Sequence, residues 1–178
     1  MTKPKKIVVI GAQTAGLGAA SAARKADRSC QVTVLEKSEF ASNSPCGLPY
    51  FVGGEIGEEK ALTHTEPSIL RNKIGLDLRM RHEAESIDTL AKRITCHDLE
   101  AERWYDLDYD TLVLATGSTA AVPPMAGVDA PNVFTLKNVG DGKRISEYIS
   151  ANSAKTAAVV GAGYIGVEMC VRPSKEEG

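Results

Sequence analysis

The sequence predicts an α/β protein with a parallel sheet, and two observations support that class. Apolar, mostly β-branched runs at 7–10 and 31–35 flank an alanine-rich stretch at 15–26, which is typical of a strand, a helix and a second strand. Such a unit forms a right-handed crossover in nearly all proteins. The strand and glycine turn of 7–16 then recur at 157–166, as the start of a second unit of the same kind.

The other elements follow from apolar spacing and turn signals. Leu76, Leu78 and Met80 alternate with charged residues and predict a strand, and the apolar run 112–115 predicts a further buried strand. Short alternating runs between them indicate an antiparallel meander. The remaining predictions are a short helix within 38–54, a helix over 66–73, meander strands near 84–88, 92–97 and 102–106, a linker at 123–124, a helix over 139–149, a strand over 156–160 and a helix from 164 onward.

Composition and charge narrow the function classes. The chain has 178 residues, 43% hydrophobic and 25% charged, with a net charge of −2. This composition fits a globular protein, and the charge gives no electrostatic basis for binding nucleic acid or an anionic membrane. No stretch approaches the roughly 20 apolar residues of a membrane span, and the run at 7–10 is too short for a secretion signal. We therefore expect a cytoplasmic protein.

The cysteines and histidines argue against disulfides and metal. The four cysteines form no CxxC pair, so in a cytoplasmic chain they are free thiols or take part in chemistry. The three histidines lack the spacing of metal ligands or of a nucleophile-activating triad, so no metal site is expected. The cysteines expected to be structural are Cys30, Cys96 and Cys170.

The first glycine turn predicts a dinucleotide phosphate site. Gly11-Ala12-Gln13-Thr14-Ala15-Gly16 follows a strand and opens a helix, so the amides at the helix N-terminus would face a pyrophosphate. Glu36 lies 20 residues after Gly16, at the end of the second strand, where a carboxylate can accept hydrogen bonds from ribose hydroxyls. Gln13 stands where the three-glycine pattern has its middle glycine. A turn that binds no ligand is the alternative.

The second turn carries the full three-glycine pattern, in Gly161, Gly163 and Gly166. Its acidic partner would fall about 20 residues after Gly166, past the last residue, Gly178. The pattern therefore indicates the fold without indicating which cofactor is held. Nucleotide binding and no binding both stay open for this half-unit.

Cys46 is the candidate reactive residue. It lies within 44–50, just after the second strand, at the edge where open α/β sheets bind ligands. If Ser44 is an N-cap and Pro45 the first helical residue, the thiol sits in a first helical turn, which favours thiolate. Alternatively the helix begins at Pro49 and Cys46 precedes it. A small buried residue is the competing role for this cysteine.

Five motifs in this order resemble the flavin-dependent pyridine nucleotide-disulfide oxidoreductases. They are Gly11–Gly16, Glu36, Ser42 through Tyr50, Tyr109-Asp110 with Ala115-Thr116-Gly117, and Gly161–Glu168. The chain is most similar to the single-cysteine branch, which holds coenzyme A-disulfide reductases, persulfide reductases, NADH oxidases and NADH peroxidases. Ala41 stands where the two-cysteine branch has its other cysteine, so the thiol would cycle with an outside partner or as a sulfenic acid.

The resemblance implies a role for each matching residue. Cys46 is the catalytic thiol beside the flavin, and FAD is held by Gly11, Ala12, Gln13, Ala15, Gly16, Glu36, Lys37, Ala84, Thr116 and Gly117. The nicotinamide cofactor, NADH or NADPH, is held by Gly161, Gly163, Gly166 and Glu168. Lys25, Ser42 and Lys73 match positions that contact coenzyme A, where lysines act as point charges for phosphates. Solvated surface charge is the alternative for the two lysines.

The resemblance also predicts the domain organisation. It implies a three-layer, Rossmann-like FAD-binding domain over 1–122, a linker and helix over 123–150, and the first strand and helix of a second Rossmann-like domain, for NAD(P)H, over 151–178. Relatives continue with the rest of that domain, a return segment and a dimerisation domain. We therefore expect a truncated chain whose full-length form is a homodimer, with Pro173 ending the last helix.

The expected function is electron transfer from NAD(P)H through FAD to Cys46, which reduces a small-molecule substrate, coenzyme A disulfide or a persulfide. Because the hydride path needs both nucleotide sites, this chain alone is expected to be inactive. Two alternatives stay open. One is an NADH oxidase or peroxidase that uses a cysteine sulfenic acid. The other is a non-catalytic nucleotide-binding or partner-binding module.

Overall fold

The computed structural model describes residues 3–171, which form two compact units. The first unit contains 3–43 and 64–117, and the second contains 44–63 and 118–171. The strands are β1 (Lys6–Ile10), β2 (Gln31–Glu36), β3 (Asp77–Met80), β4 (His82–Asp88), β5 (Arg93–Asp98), β6 (Arg103–Asp108) and β7 (Thr111–Leu114). The helices are α1 (Thr14–Ala26), α2 (Leu48–Val52), α3 (Pro67–Ile69), α4 (Val139–Asn152) and α5 (Tyr164–Val171), with 3₁₀ turns at Pro45–Gly47 and Glu59–Leu62 and a π-helical turn at Leu70–Ile74.

Two sheets build the first unit. Strands β3, β2, β1 and β7 form a parallel sheet in that order, in which Ile7 lies between Val32 and Thr111. Strands β4, β5 and β6 form the antiparallel meander. This architecture confirms the predicted α/β class with its parallel sheet and its meander.

The core of the first unit lies on both faces of the parallel sheet, because successive side chains of a strand point to opposite faces. Val9 is buried in a cluster with Ala20 of α1. Its neighbour Val8 is buried in a second cluster with Leu35 and with Cys96 of the meander. The first unit therefore has three layers: helix, parallel sheet and meander.

In the second unit, α4 packs on α2, and its start is fixed by a capping box. The Asn138 Oδ1 accepts a hydrogen bond from the Asp141 N–H at 3.0 Å, and the Asp141 Oδ2 accepts one from the Asn138 N–H at 3.0 Å. A Cβ at Gly142 would lie 3.3–3.4 Å from the side chains of Phe51 and Leu48. The glycine therefore allows α4 to approach α2, the helix that follows Cys46.

The predicted strand over 156–160 is wrong. No other strand within residues 3–171 pairs with this segment, and Val160 is 84% exposed. Strand N–H and C=O groups need a neighbouring strand, so an apolar β-branched run does not form one by itself. The helix predicted from Tyr164 is present as α5. Cys170, expected in the core, is exposed on that helix.

The other predicted helices and strands are confirmed, but the prediction that the strand of 112–115 is buried is wrong. Leu114 is 64% exposed and no residue of β7 is buried, because β7 is an edge strand of the four-stranded sheet. The helix expected over 66–73 is a short helix, α3, that continues as the π-helical turn. The predicted effect of Pro173 concerns a residue outside the described range. Within residues 3–171, no helix combines the length and the apolar character that crossing a membrane requires.

Candidate functional site

The backbone of the glycine turn after β1 packs closely against the backbone of neighbouring elements. Gly11 has φ +105°, and its N–H donates to the Leu35 C=O at 2.8 Å. A Cβ at Gly11 would collide with the backbone C=O of Ala115, and a Cβ at Gly16 would collide with the C=O of Gly11. Glycine at both positions therefore lets β1, α1 and the end of β7 converge.

The N-terminus of α1 fits a phosphate group. Gln13 is its N-cap residue, and no side chain within the described range caps the helix. Thr14 and Ala15, the first helical residues, are exposed. Unpaired first-turn amides and the helix dipole together favour an anion at such a position. Gly11 and Gly16 contribute to this position indirectly, because they let α1 begin directly against β1 and the end of β7.

Glu36, the last residue of β2, is hydrogen-bonded to this turn. The residue is only 8% exposed, and its carboxylate accepts hydrogen bonds from the Ala12 N–H at Oε2 (2.9 Å) and from the Ser38 N–H and O–H at Oε1 (2.9 and 2.8 Å). Each carboxylate oxygen has two lone pairs, so Oε2 keeps one acceptor position. Glu36 therefore both ties β2 to the glycine turn and fits a ribose hydroxyl.

The side chain of Gln13 has partners that the sequence analysis missed. Its Nε2 donates to the Phe40 C=O at 3.0 Å, and its Oε1 accepts from the Asn43 N–H at 3.0 Å. The Ser42 N–H donates to the Ala12 C=O at 2.9 Å. The single clue in the sequence was a long polar residue in place of the middle glycine.

Cys46 lies in the second unit, exposed, in the 3₁₀ turn directly before α2. Ser44 is the N-cap of this turn and Pro45 its first residue, but the Ser44 side chain makes no capping hydrogen bond. The α-helix begins at Leu48, so of the two interpretations the structure has the one in which Cys46 precedes the helix. Its exposure also excludes the buried, inert role.

Two of the other cysteines are buried in the first unit. The Cys30 Sγ donates to the Asp27 C=O at 2.9 Å, and Cys96 lies in the core between the sheets. Burial raises the pKa of the Cys96 thiol, which disfavours the reactive thiolate. Both confirm the structural role predicted for them.

We expect iodoacetamide to label Cys46 and Cys170 at least about 100-fold faster than Cys30 and Cys96, because a buried thiol reacts only when the structure opens. Peptide mass spectrometry of time points measures the four rates. In denaturing urea all four should react at similar rates, which is the control. Fast labelling of Cys96 in the native protein would contradict the packing described above.

The other predicted FAD contacts surround the ends of β2, β4 and β7. Lys37 is exposed and pairs with Glu83 at 3.5 Å. Ala84 lies on β4, half-buried against the core under the meander. Thr116 and Gly117 follow β7 and are exposed, with Gly117 at φ +71°.

The two lysines predicted to contact coenzyme A lie on neighbouring elements. Lys25 is exposed in the last turn of α1, and Lys73 is exposed in the π-helical turn. The residues beside them are in contact, because the Arg24 Nε donates to the Ile74 C=O at 3.5 Å. Lys25 and Lys73 are therefore exposed positive charges on two elements of the first unit that contact each other.

The second glycine turn has the local geometry of the first. Gly161 has φ +114°, and a Cβ at Gly166 would collide with the C=O of Gly161. Val159 Cγ1 would lie 3.4 Å from that Cβ, as Val9 Cγ1 lies 3.2 Å from a Cβ at Gly16. Gly163 and Glu168 are exposed here. The turn is thus formed although the segment before it is no strand.

Residues 3–171 contain no group of three or more histidine, cysteine, aspartate or glutamate side chains that could hold a metal ion. The candidate functional groups are a dinucleotide-type loop in the first unit and an exposed thiol in the second.

Known proteins are similar to this chain in sequence over nearly its whole length. A protein named NAD(P)H sulfur oxidoreductase (CoA-dependent), from Pyrococcus abyssi, is 38% identical over 165 residues, which are 93% of this chain and 36% of that protein. A protein named NADH oxidase, from Methanocaldococcus jannaschii, is 34% identical over 92% of this chain and 36% of that protein. This chain thus spans about a third of the length of the relatives it matches.

The fold is shared as well. A crystal structure of reduced Bacillus anthracis CoADR-RHD matches with a TM-score of 0.90 and 34% identity, over 94% of this chain and 30% of that one. A family profile described as pyridine nucleotide-disulphide oxidoreductase matches residues 5–175. The chain belongs to the pyridine nucleotide-disulphide oxidoreductase family.

Proposed function

We propose that this chain carries the FAD-binding loop and the redox cysteine of a flavin-dependent NAD(P)H oxidoreductase that reduces coenzyme A disulfide or a persulfide. The observation that carries the proposal is the glycine turn of 11–16, where closely packed backbone, the exposed start of α1 and the buried Glu36 meet. The name of the Pyrococcus relative, a CoA-dependent sulfur oxidoreductase, supports the substrate class.

FAD would be held mainly by backbone. The first-turn amides at Thr14 and Ala15 donate to the pyrophosphate oxygens, and the free lone pair of Glu36 accepts from a ribose hydroxyl. Lys37, Ala84, Thr116 and Gly117 would contact the same cofactor. When bound, FAD takes a hydride from the nicotinamide and supplies two electrons to the thiol chemistry.

Cys46 would perform the sulfur chemistry. Its thiolate attacks one sulfur of coenzyme A disulfide, which forms a Cys46–coenzyme A mixed disulfide and releases one coenzyme A thiolate. Two electrons and one proton then cleave the mixed disulfide, so that coenzyme A thiol leaves and the Cys46 thiolate is restored. Lys25 and Lys73 attract the phosphates of coenzyme A as point charges, and Ser42 contacts the same ligand.

NADH or NADPH would bind at the second turn, through Gly161, Gly163, Gly166 and Glu168. The division into domains at 1–122, 123–150 and 151–178 and a homodimeric full-length form are parts of the same proposal. Because no strand within residues 3–171 pairs with the segment before the second turn, we expect little NADH-dependent turnover from the 178-residue chain alone.

The test is an absorption spectrum of the purified chain after FAD has been added and unbound FAD removed. We expect a bound spectrum of oxidised flavin with a long-wavelength thiolate band, which Cys46→Ser removes, Cys170→Ser retains and full reduction of the flavin by dithionite bleaches. Intact mass after treatment with coenzyme A disulfide should show one adduct that depends on Cys46. A chain that retains no flavin would contradict the proposal.

The same samples test the two alternatives. After peroxide, dimedone labelling of Cys46 without any coenzyme A adduct would favour an NADH oxidase, the activity named for the Methanocaldococcus relative. Flavin binding with identical spectra for the parent chain and Cys46→Ser would favour a non-catalytic nucleotide-binding module.

A further inference from the structure

The glycine turn is joined to the segment 40–43, which we call the anchor segment, through a side chain. The Gln13 amide bonds to both ends of this segment, to the Phe40 C=O and the Asn43 N–H, each at 3.0 Å. The preceding residue, Ala12, accepts a backbone hydrogen bond from the Ser42 N–H at 2.9 Å. Two consecutive residues of the turn thus bond to three of the four residues of the anchor segment.

The anchor segment contains backbone that needs such support. Ser42 has φ +58°, in the left-handed region that non-glycine residues seldom occupy. Its C=O accepts from the His64 N–H at 2.8 Å. A conformation of this kind persists where surrounding hydrogen bonds determine it. Gln13 and Ala12 supply those bonds on one side and His64 on the other.

A glycine at position 13 has no side chain, so it could not make the hydrogen bonds to Phe40 and Asn43. In the three-glycine pattern the middle glycine lets the backbone approach the pyrophosphate. Here both polar ends of the Gln13 side chain are engaged by the anchor segment. The side chain therefore acts on residues 40–43, while the neighbouring amides of α1 remain for the phosphates.

We propose that Gln13 is a positioning residue for the thiol substrate: it sets the backbone of the anchor segment, and with it Ser42, in the chain just before Cys46. The assignment of Ser42 to coenzyme A rests on the proposed function. The proposal moves the role of the Gln13 side chain from the cofactor, where the resemblance placed it, to the substrate side of the site.

The test is amide hydrogen exchange by NMR on the full 178-residue chain without ligand. Gln13→Met keeps the length of the side chain and removes both hydrogen bonds, so exchange at the Asn43 N–H should accelerate about 5- to 10-fold. Gln13→Glu keeps an oxygen acceptor for that N–H but places its other oxygen against the Phe40 C=O, so exchange at Asn43 should fall between that of the parent and that of Gln13→Met. The matched control is Gln31→Met at an exposed glutamine, which should leave Asn43 unchanged. Equal Asn43 exchange in the parent and in Gln13→Met would overturn the proposal.

A second measurement separates this role from a cofactor role. The Kd for FAD should change by less than about 3-fold in Gln13→Met, because the helix amides are untouched. A larger loss of FAD affinity with unchanged Asn43 exchange would assign Gln13 to the cofactor and overturn the proposal. If the parent chain binds no FAD, the proposed function fails, and the ligand-free exchange of Asn43 still decides the role of Gln13.

Discussion

Replacing Gly16 by alanine should lower the free energy of unfolding of the first unit by about 3 kcal/mol and abolish FAD retention. The added Cβ would collide with the Gly11 C=O, a backbone atom, and would lie 3.2 Å from Val9 Cγ1. Overpacking a core costs about 1–3 kcal/mol when side chains can adjust, and here the backbone of α1 or β1 must move. Urea unfolding followed by circular dichroism measures the change.

Gly18→Ala is the matched control for this substitution. Gly18 lies in the same helix, and a Cβ there would have no neighbour within 4 Å. Alanine is the better helix former by about 1 kcal/mol, so this variant should be as stable as the parent chain or more stable. Equal midpoints for Gly16→Ala and Gly18→Ala would mean that α1 and β1 do not approach each other as described.

Glu36→Ala should destabilise the first unit by about 2–3 kcal/mol and weaken FAD retention. The change leaves three donors without their acceptor, the Ala12 N–H and the Ser38 N–H and O–H. A lost hydrogen bond to a charged group costs about 1.5–3 kcal/mol, and water entering the site would recover part of the total. The measurement is urea unfolding, together with the FAD absorbance that remains after gel filtration.

The control is Glu39→Ala, three residues further along the chain and exposed. A surface substitution of this kind should change stability by less than about 0.5 kcal/mol. If both variants lose the same stability, the effect comes from the removed charge and not from the hydrogen bonds of Glu36.

The sequence was sufficient to predict those strands and helices whose signal lies in contiguous residues. The strands and helix of 6–36 could be predicted because apolar period and glycine punctuation lie in contiguous residues. The run 156–160 carries the same local signal as 7–10. A strand also needs a partner strand, however, and the described chain pairs β1 with β2 and β7 but offers none to 156–160.

The candidate site shows the same difference between features that local spacing predicts and features that distant contacts determine. Gly11, Gly16 and Glu36 could be placed from spacing alone, because the motif has a fixed geometry. The bonds of the Glu36 carboxylate to Ala12 and of Gln13 to Asn43 span 24 and 30 positions, so no spacing rule contains them. The first depends on the pairing of β2 with β1, and the second depends on how the anchor segment folds back on the turn.

The second glycine turn, formed beside an unpaired segment, bears on the order of folding. Its defining contact joins Gly161 and Gly166, which are neighbours in sequence. Loops of about ten residues close within about 10–100 ns, whereas pairing of parallel strands brings distant segments together and is slow. The conformation of a dinucleotide loop then forms early in folding, through contacts among six consecutive residues. The slow step in the folding of such a domain is then the pairing of the strand before the loop with its neighbouring strand.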